Sequence, residues 1–214
     1  MISSLLVEWA CRLGVAACIE NQKRIFREVF INSTSSAFQL SENELFLSTC
    51  TVIKYSGTNE WKLLKNKFLD SEDINLQKIL VKALGCTREI SLIKKTLALL
   101  KNPTFNMYSH HILSSISHNK IALKYTLDYL YNEWIDARTY LSLSDLSILF
   151  RKISTENEFT MYEQIFFRYS YTFHTMDKEI LKRMRDIIMK LIRWKKEIGP
   201  NITYTQLVFD DASF

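Results

Sequence analysis

Four cysteines are the residues of this 214-residue chain best suited to covalent chemistry. Cys11 and Cys18 flank Gly14 at a separation of seven, and Cys50 and Cys86 stand 36 apart on or near consecutive predicted hairpins. Either pair could be bridged. Neither forms C-x-x-C, so zinc ribbons and thioredoxin-like chemistry match poorly, and four cysteines permit three complete pairings. Four reduced thiols in a cytosolic core are the alternative. The four histidines, His110, His111, His118 and His174, lie outside any H-E-x-x-H arrangement, the helical spacing that turns two imidazoles and a general base toward zinc. No catalytic zinc site is expected in this chain. His111 and His118 are seven apart, but a predicted turn separates them, and exposed or helix-capping histidines are expected.

Other chemistries find little support. Four scattered glycines cannot build a phosphate cradle, and no G-x-S-x-G elbow is available to a hydrolase serine. The net charge of +5, from 28 basic and 23 acidic residues, is a weak argument for nucleic acid. On the last predicted helix Lys178, Lys182, Arg185, Lys190, Arg193, Lys195 and Lys196 are interleaved with Asp177, Glu179, Asp186 and Glu197, the pattern of a solvated face. Phe166, Phe167, Tyr169, Tyr171 and Phe173 lack the spacing of a base-stacking platform and are assigned to packing. Two N-x-S/T sequons, at Asn32 and Asn201, fall in predicted loops, where glycosylation requires them, and tilt the compartment toward the secretory route.

Helices must position these residues. Only four Gly and two Pro occur, against about 7% and 5% in average usage, which disfavours sandwiches and barrels. Gly14, Gly57, Gly85, Pro103 and Gly199-Pro200 fall between apolar-periodic segments and read as helix terminators, the glycines as left-handed caps. Ser41–Glu44 and Thr155–Glu158 fit the capping box. Helices are predicted at about 3–13, 17–31, 42–55, 59–69, 73–84, 88–101, 107–117, 119–134, 143–153, 156–170 and 176–197. In the last, Ile180, Met184, Ile187, Ile188, Leu191 and Ile192 form the expected buried stripe. Successive pairs recur at roughly 30 to 36 residues, the spacing of HEAT-like arrays, with Glu60-Trp61 and Glu133-Trp134 near the ends of comparable units. No stretch approaches the roughly 20 apolar residues of a membrane span. The N-terminus, interrupted by Glu8 and Arg12, lacks the features of a secretion signal, and the C-terminus lacks an anchoring tail.

Ala10-Cys11-Arg12-Leu13-Gly14 through Cys18, Ser48-Thr49-Cys50-Thr51 with Gly57 and Glu60-Trp61, and Leu80 with Ala83-Leu84-Gly85-Cys86-Thr87 together resemble the C-terminal helical domain of aminopeptidase N-like zinc metallopeptidases, the domain shared with endoplasmic-reticulum aminopeptidases. The likeness continues through Asn102-Pro103, Asp128-Tyr129 with Asn132 and Trp134, Ser154-Thr155-Glu156, and Ile192-Arg193-Trp194. It implies an all-α fold, a right-handed superhelix of antiparallel helix pairs (HEAT/armadillo-like), bowed over a separate zinc-bearing domain that removes the N-terminal residue of peptides. It also implies two disulfides, Cys11–Cys18 and Cys50–Cys86. Two departures stand out. The family's R-x-Q-D stretch, which faces the chamber, corresponds here to Met107, Tyr108, Ser109 and His110. The match also begins in the middle of the family's domain, so the resemblance implies an N-terminally truncated superhelix.

The expected organisation is one helical repeat domain over residues 1–200 and a tail over 201–214. The expected function is a non-catalytic C-terminal domain that binds no zinc itself and has the peptide substrate and the family's catalytic domain as partners. The family setting is extracellular or membrane-associated through the parent protein, without insertion of this chain. An uncovered first helix, with Ile2, Leu5, Leu6 and Trp9, makes a homodimer conceivable. The alternative is a cytosolic helical-repeat scaffold that holds a peptide or partner helix on its concave face and keeps four free thiols.

Overall fold

The computed structural model of the chain describes residues 2–32 and 40–198. Gly199, Pro200, the tail over 201–214 with Asn201, and the Ser33-Thr34 part of the first sequon lie outside the described residues. Among the described residues the regular structure is helical, with no strand: α1 Ile2–Arg12, α2 Ala16–Phe30, α3 Glu42–Tyr55, α4 Thr58–Asp70, α5 Ile74–Leu84, α6 Ile90–Leu99, α7 Pro103–Asn106, α8 Ser109–Ser117, α9 Lys120–Ala137, α10 Leu143–Phe150, α11 Glu156–Arg168, a 3-10 turn Ser170–Thr172, and α12 Thr175–Glu197. The chain divides into two compact units, residues 1–126 and 127–214.

In the first unit α1 packs on α3, α3 on α5 and α5 on α8, while α2 lies against α3 and α4 against α5. Helix α5 is the hub, with Leu80, Val81, Ala83 and Leu84 fully buried. Burying each such leucine contributes about 1.5–3 kcal/mol. Helix starts are chemically defined. Ser41 Oγ accepts from the Glu44 amide at 3.3 Å, while Glu44 Oε2 accepts from the Ser41 hydroxyl at 2.7 Å and the Ser41 amide at 2.9 Å, and these last two bonds hold the Glu44 carboxyl below its ordinary pKa. Asp73 Oδ1 accepts from the Asn75 amide at 2.8 Å to open α5.

Gly57, Gly85 and Pro103 act differently from the sequence reading, whereas Gly14 agrees with it. Gly14, between α1 and α2, has φ +84 and is a left-handed residue. Gly57 instead precedes α4, its amide donating to Glu60 Oε2 at 3.3 Å. Gly85 has φ −75, and space rather than backbone conformation selects it. A Cβ there would stand 2.8 Å from Ser115 Oγ and 2.9 Å from the Ile112 carbonyl oxygen, because α5 runs into α8 at this point. Pro103 opens the short helix α7 behind an Asn102 cap, where its missing N–H costs nothing.

The second unit packs α10 and α11 against α12. Its core is aromatic: Trp134 stacks on Tyr169 at 5.9 Å and meets the edge of Phe173 at 5.5 Å, and Phe150 meets Tyr162 at 4.9 Å. Tyr162 Oη donates to the Leu181 carbonyl at 2.6 Å, and burial pushes its phenol pKa up. The capping box at Thr155–Glu158 is present, and an equivalent one, Ser142–Asp145, starts α10. Two packing expectations are corrected. Phe167 and Tyr171 are 67% and 76% exposed, so only part of the aromatic segment is core. On α12 the buried residues are Leu181, Met184 and Ile188, whereas Ile180 and Ile187 are exposed. The i, i+3, i+7 contact line is narrower than the apolar face and leaves one flank in solvent.

The two Glu-Trp pairs do equivalent structural work in their own units. Trp61 Nε1 donates to Thr96 Oγ1 at 3.1 Å, and Trp134 Nε1 donates to Thr172 Oγ1 at 3.3 Å. Each buried indole thereby finds an acceptor 35 or 38 residues farther along the chain. Their glutamates diverge: Glu60 caps α4, whereas Glu133 carries the non-helical φ −117, ψ 26 within α9.

Candidate functional site

Two disulfides brace one set of helix ends in the first unit. Cys11–Cys18 closes the α1–α2 turn with a Cα separation of 5.2 Å, and Cys50–Cys86 ties the middle of α3 to the end of α5 at 5.4 Å. In chain-entropy terms loops of these lengths, seven and 36 residues, stabilise the fold by about 2.5 and about 4 kcal/mol. Noncovalent bonds continue the brace. Tyr55 Oη donates to the Cys11 carbonyl at 3.2 Å, and Lys54 Nζ donates to the Arg12 carbonyl at 3.2 Å. The Cys86 sulfur lies 3.9 Å from Ser115 Oγ, which itself donates to the Lys82 carbonyl. The α1–α2 turn is thus fastened to α3, and α5 to both α3 and α8.

Cations gather at the braced end. Lys54 Nζ lies 5.2 Å and the Arg88 guanidinium 5.3 Å from the centre of the Tyr55 ring, and Arg12 sits 5.7 Å over Trp9 while pairing with Glu8 at 2.6 Å. Burial, with added repulsion from Arg88 and Arg12, lowers the Lys54 pKa to about 8. Sequence reading missed this group. Its members lie on three segments separated by 30 residues or more, so no local pattern could have announced it.

Met107, Tyr108, Ser109 and His110 run from the end of α7 into the first turn of α8. Met107 is 78% exposed and His110 is exposed, whereas Ser109 is buried. Tyr108 is held from two sides: its hydroxyl donates to Gln77 Oε1 at 2.5 Å, and its ring meets the edge of Phe68 at 5.4 Å. Half-buried His111 stands 5.8 Å from the His110 ring centre. Its pKa is lowered first by burial and then by His110, Lys78 and Lys82, which favours the neutral imidazole. Lys82 lies 4.1 Å over the Phe46 ring with its own pKa lowered by burial, an effect that Glu8 opposes. The surface here combines exposed thioether and imidazole groups with lysine charge, and holds no carboxylate-amide pair of the R-x-Q-D kind.

Among the described residues no group of three or more His, Cys, Asp or Glu side chains could hold a metal ion, so zinc finds no fitting donor set there. His118 serves the C-terminus of α8, its Nδ1 lying 2.7 Å from the Ser114 carbonyl oxygen, while His111 occupies the first turn of the same helix. The two share that helix without the turn expected between them, but they serve separate contacts. His174 is the residue before α12 and makes no side-chain cap bond. Asn32 is exposed just past α2. No helix among the described residues is long and apolar enough to cross a membrane.

Comparison with known proteins gives a consistent result. The sequence model of the family described as "ERAP1-like C-terminal domain" matches residues 1–188. Aminopeptidase N of Canis lupus familiaris is 26% identical over 199 residues, covering 89% of this chain and 20% of that protein. Aminopeptidase N of Bos taurus is 25% identical over 130 residues, covering 60% of this chain and 13% of that protein. The chain therefore spans a fifth or less of the length of the curated relatives it matches.

Proposed function

Since the chain belongs to the family of ERAP1-like C-terminal domains, we propose that it is the non-catalytic helical part of an aminopeptidase N-like zinc metallopeptidase, shaping and closing the peptide chamber of a catalytic domain that this chain does not contain. The family match over residues 1–188 carries the reading. Zinc and the peptide-cleaving groups belong to the partner domain in this scheme. In this reading the chain supplies a wall of that chamber, a right-handed HEAT-like superhelix running as one domain to about residue 200. The row of packed helices α1, α3, α5 and α8 in the first unit supports that architecture. Met107, His110 and His111 are the groups it would offer to a bound peptide. The two disulfides support an oxidising, extracellular setting reached through the parent protein, with glycans at Asn32 and Asn201. The exposed Leu5, Leu6, Leu13 and Val15 support self-association of the isolated chain, a monodisperse monomer by light scattering being the contrary result.

The test has two arms. Intact mass spectrometry of the natively produced, unreduced chain is expected to give two bridges and hexose-rich adducts. Four free thiols would instead favour an intracellular scaffold. Incubated alone with an aminoacyl reporter, the chain is expected to release nothing, and chelator-sensitive hydrolysis would contradict the non-catalytic assignment. Added to a catalytic part lacking this region, it is expected to change hydrolysis of long peptides far more than that of the single-residue reporter.

A further inference from the structure

Three cations that are remote in sequence converge at the disulfide-braced end of the first unit. Each adjoins a half-cystine: Arg12 follows Cys11, Lys54 lies one helical turn beyond Cys50, and Arg88 is two residues past Cys86. Lys54 and Arg88 both rest on the Tyr55 ring, at 5.2 and 5.3 Å from its centre, and so lie within about 10 Å of each other. The ring is fixed in turn by its hydroxyl bond to the Cys11 carbonyl. Among the described residues Arg12 alone of the three is neutralised by a carboxylate. Glu8 is engaged by Arg12, and Glu89 accepts from the Ser91 hydroxyl. Among the described residues no carboxylate pairs with the Arg88 guanidinium or the Lys54 ammonium. Lys54 commits one of its three N–H donors to the Arg12 carbonyl, and Arg88 is exposed with its planar fork of donors available.

Like charges held together by covalent braces raise the free energy of the unliganded fold. A bound anion relieves that repulsion without reorganising the backbone, and ring-stacked cations present fixed donors to it. Burial is the main cause of the lowered Lys54 pKa, and repulsion from Arg88 and Arg12 adds to it. We propose that Lys54 and Arg88 on the Tyr55 ring, with Arg12 beside Lys54, form a binding site for a tetrahedral oxyanion, a sulfate or phosphate group, free or as an ester on a larger ligand. The site is independent of peptide trimming.

The experiment titrates sodium sulfate into the full, oxidised 214-residue chain at constant ionic strength against chloride, following backbone amide shifts. Saturable shifts confined to residues 12–14, 54–57 and 86–89 are expected. Arg88→Gln and Lys54→Gln should each weaken binding about tenfold, roughly the effect of one charge-assisted hydrogen bond. Arg88→Lys should retain part of it, and Lys182→Gln in the other unit should leave it unchanged. Arg88 is exposed, so its variants keep the fold. A sulfated disaccharide binding at least tenfold tighter than inorganic sulfate identifies an ester as the ligand, whereas equal affinity identifies the free anion. Shifts that match chloride alone, or binding unchanged in both Gln variants, would overturn the proposal.

Discussion

Replacing Gly85 by alanine isolates the contact that sets the distance between α5 and α8. The new methyl carbon would stand 2.8 Å from Ser115 Oγ, 3.1 Å from Ser115 Cβ and 2.9 Å from the Ile112 carbonyl oxygen. The last of these is backbone within a helix and cannot swing aside. Overpacking of this kind costs about 1–3 kcal/mol. Against it stands a gain of about 0.4–1 kcal/mol, because φ −75 and ψ −9 suit alanine and the unfolded chain loses freedom. The expected net loss is about 1–2 kcal/mol. With a urea dependence of roughly 2 kcal/mol per molar, that lowers the midpoint by about 0.5–1 M. Urea titration followed by circular dichroism reads the shift, and amide exchange in α5 and α8 assigns it to the first unit. Adding Ser115→Ala removes one of the clashing atoms, along with the hydroxyl bond to the Lys82 carbonyl, so the double variant should be more stable than the sum of the single losses implies. A Gly85→Ala chain with an unchanged midpoint and slope would refute the claim that contact with α8 selects glycine here.

Removing both cysteines of the longer bridge, Cys50→Ala with Cys86→Ala, should destabilise the unreduced chain by about 4 kcal/mol, against about 2.5 kcal/mol for Cys11→Ala with Cys18→Ala; equal losses in denaturant titration would show that loop length does not govern them. Gly57→Ser should stabilise by about 0.5–1 kcal/mol, since a Cβ at Gly57 meets nothing within 4 Å and the hydroxyl completes the half-formed cap at Glu60, and thermal unfolding checks this. Lys54 binds its proton less tightly when folded, at about 8, than when unfolded, at 10.5. The unfolded chain therefore holds more protons between those values, and stability from this group rises with pH across that window, with the penalty fully present below about 8. Titrations at pH 8 and 9.5 should show a smaller rise in Lys54→Met than in the parent; identical slopes would exclude the effect.

Local rules placed the helices well and explained their terminators less well. The capping boxes at Ser41 and Thr155 were legible because their reciprocal bonds span only three residues. Ser142–Asp145 uses the same geometry with a shorter acid and is as local, but it lies outside the S/T-x-x-E/Q pattern. Asn102-Pro103 marks a beginning rather than an end, which its order, cap before proline, already encodes. Gly57 and Gly85 were misassigned for a deeper reason. A glycine before a helix or beneath a neighbour looks, in sequence, like one in a left-handed cap. Ile180 and Ile187 likewise carry the period of a buried stripe, but periodicity fixes a direction around the helix and not the width of what packs there.

Scarce glycine and proline, three-to-four-residue apolar steps and local caps determined that this chain is helical, since each acts within one or two turns of backbone. The spacing of its cysteines, read with the family likeness, also pointed to which sulfurs join. Tertiary structure alone decided why Gly85 must lack a side chain, which aromatic rings enter the core and which remain in solvent, and that Lys54 and Arg88 share one tyrosine ring beside Arg12. These outcomes depend on distances between segments separated by a dozen residues or more, which are set by how helices stack, and local sequence carries no measure of those distances.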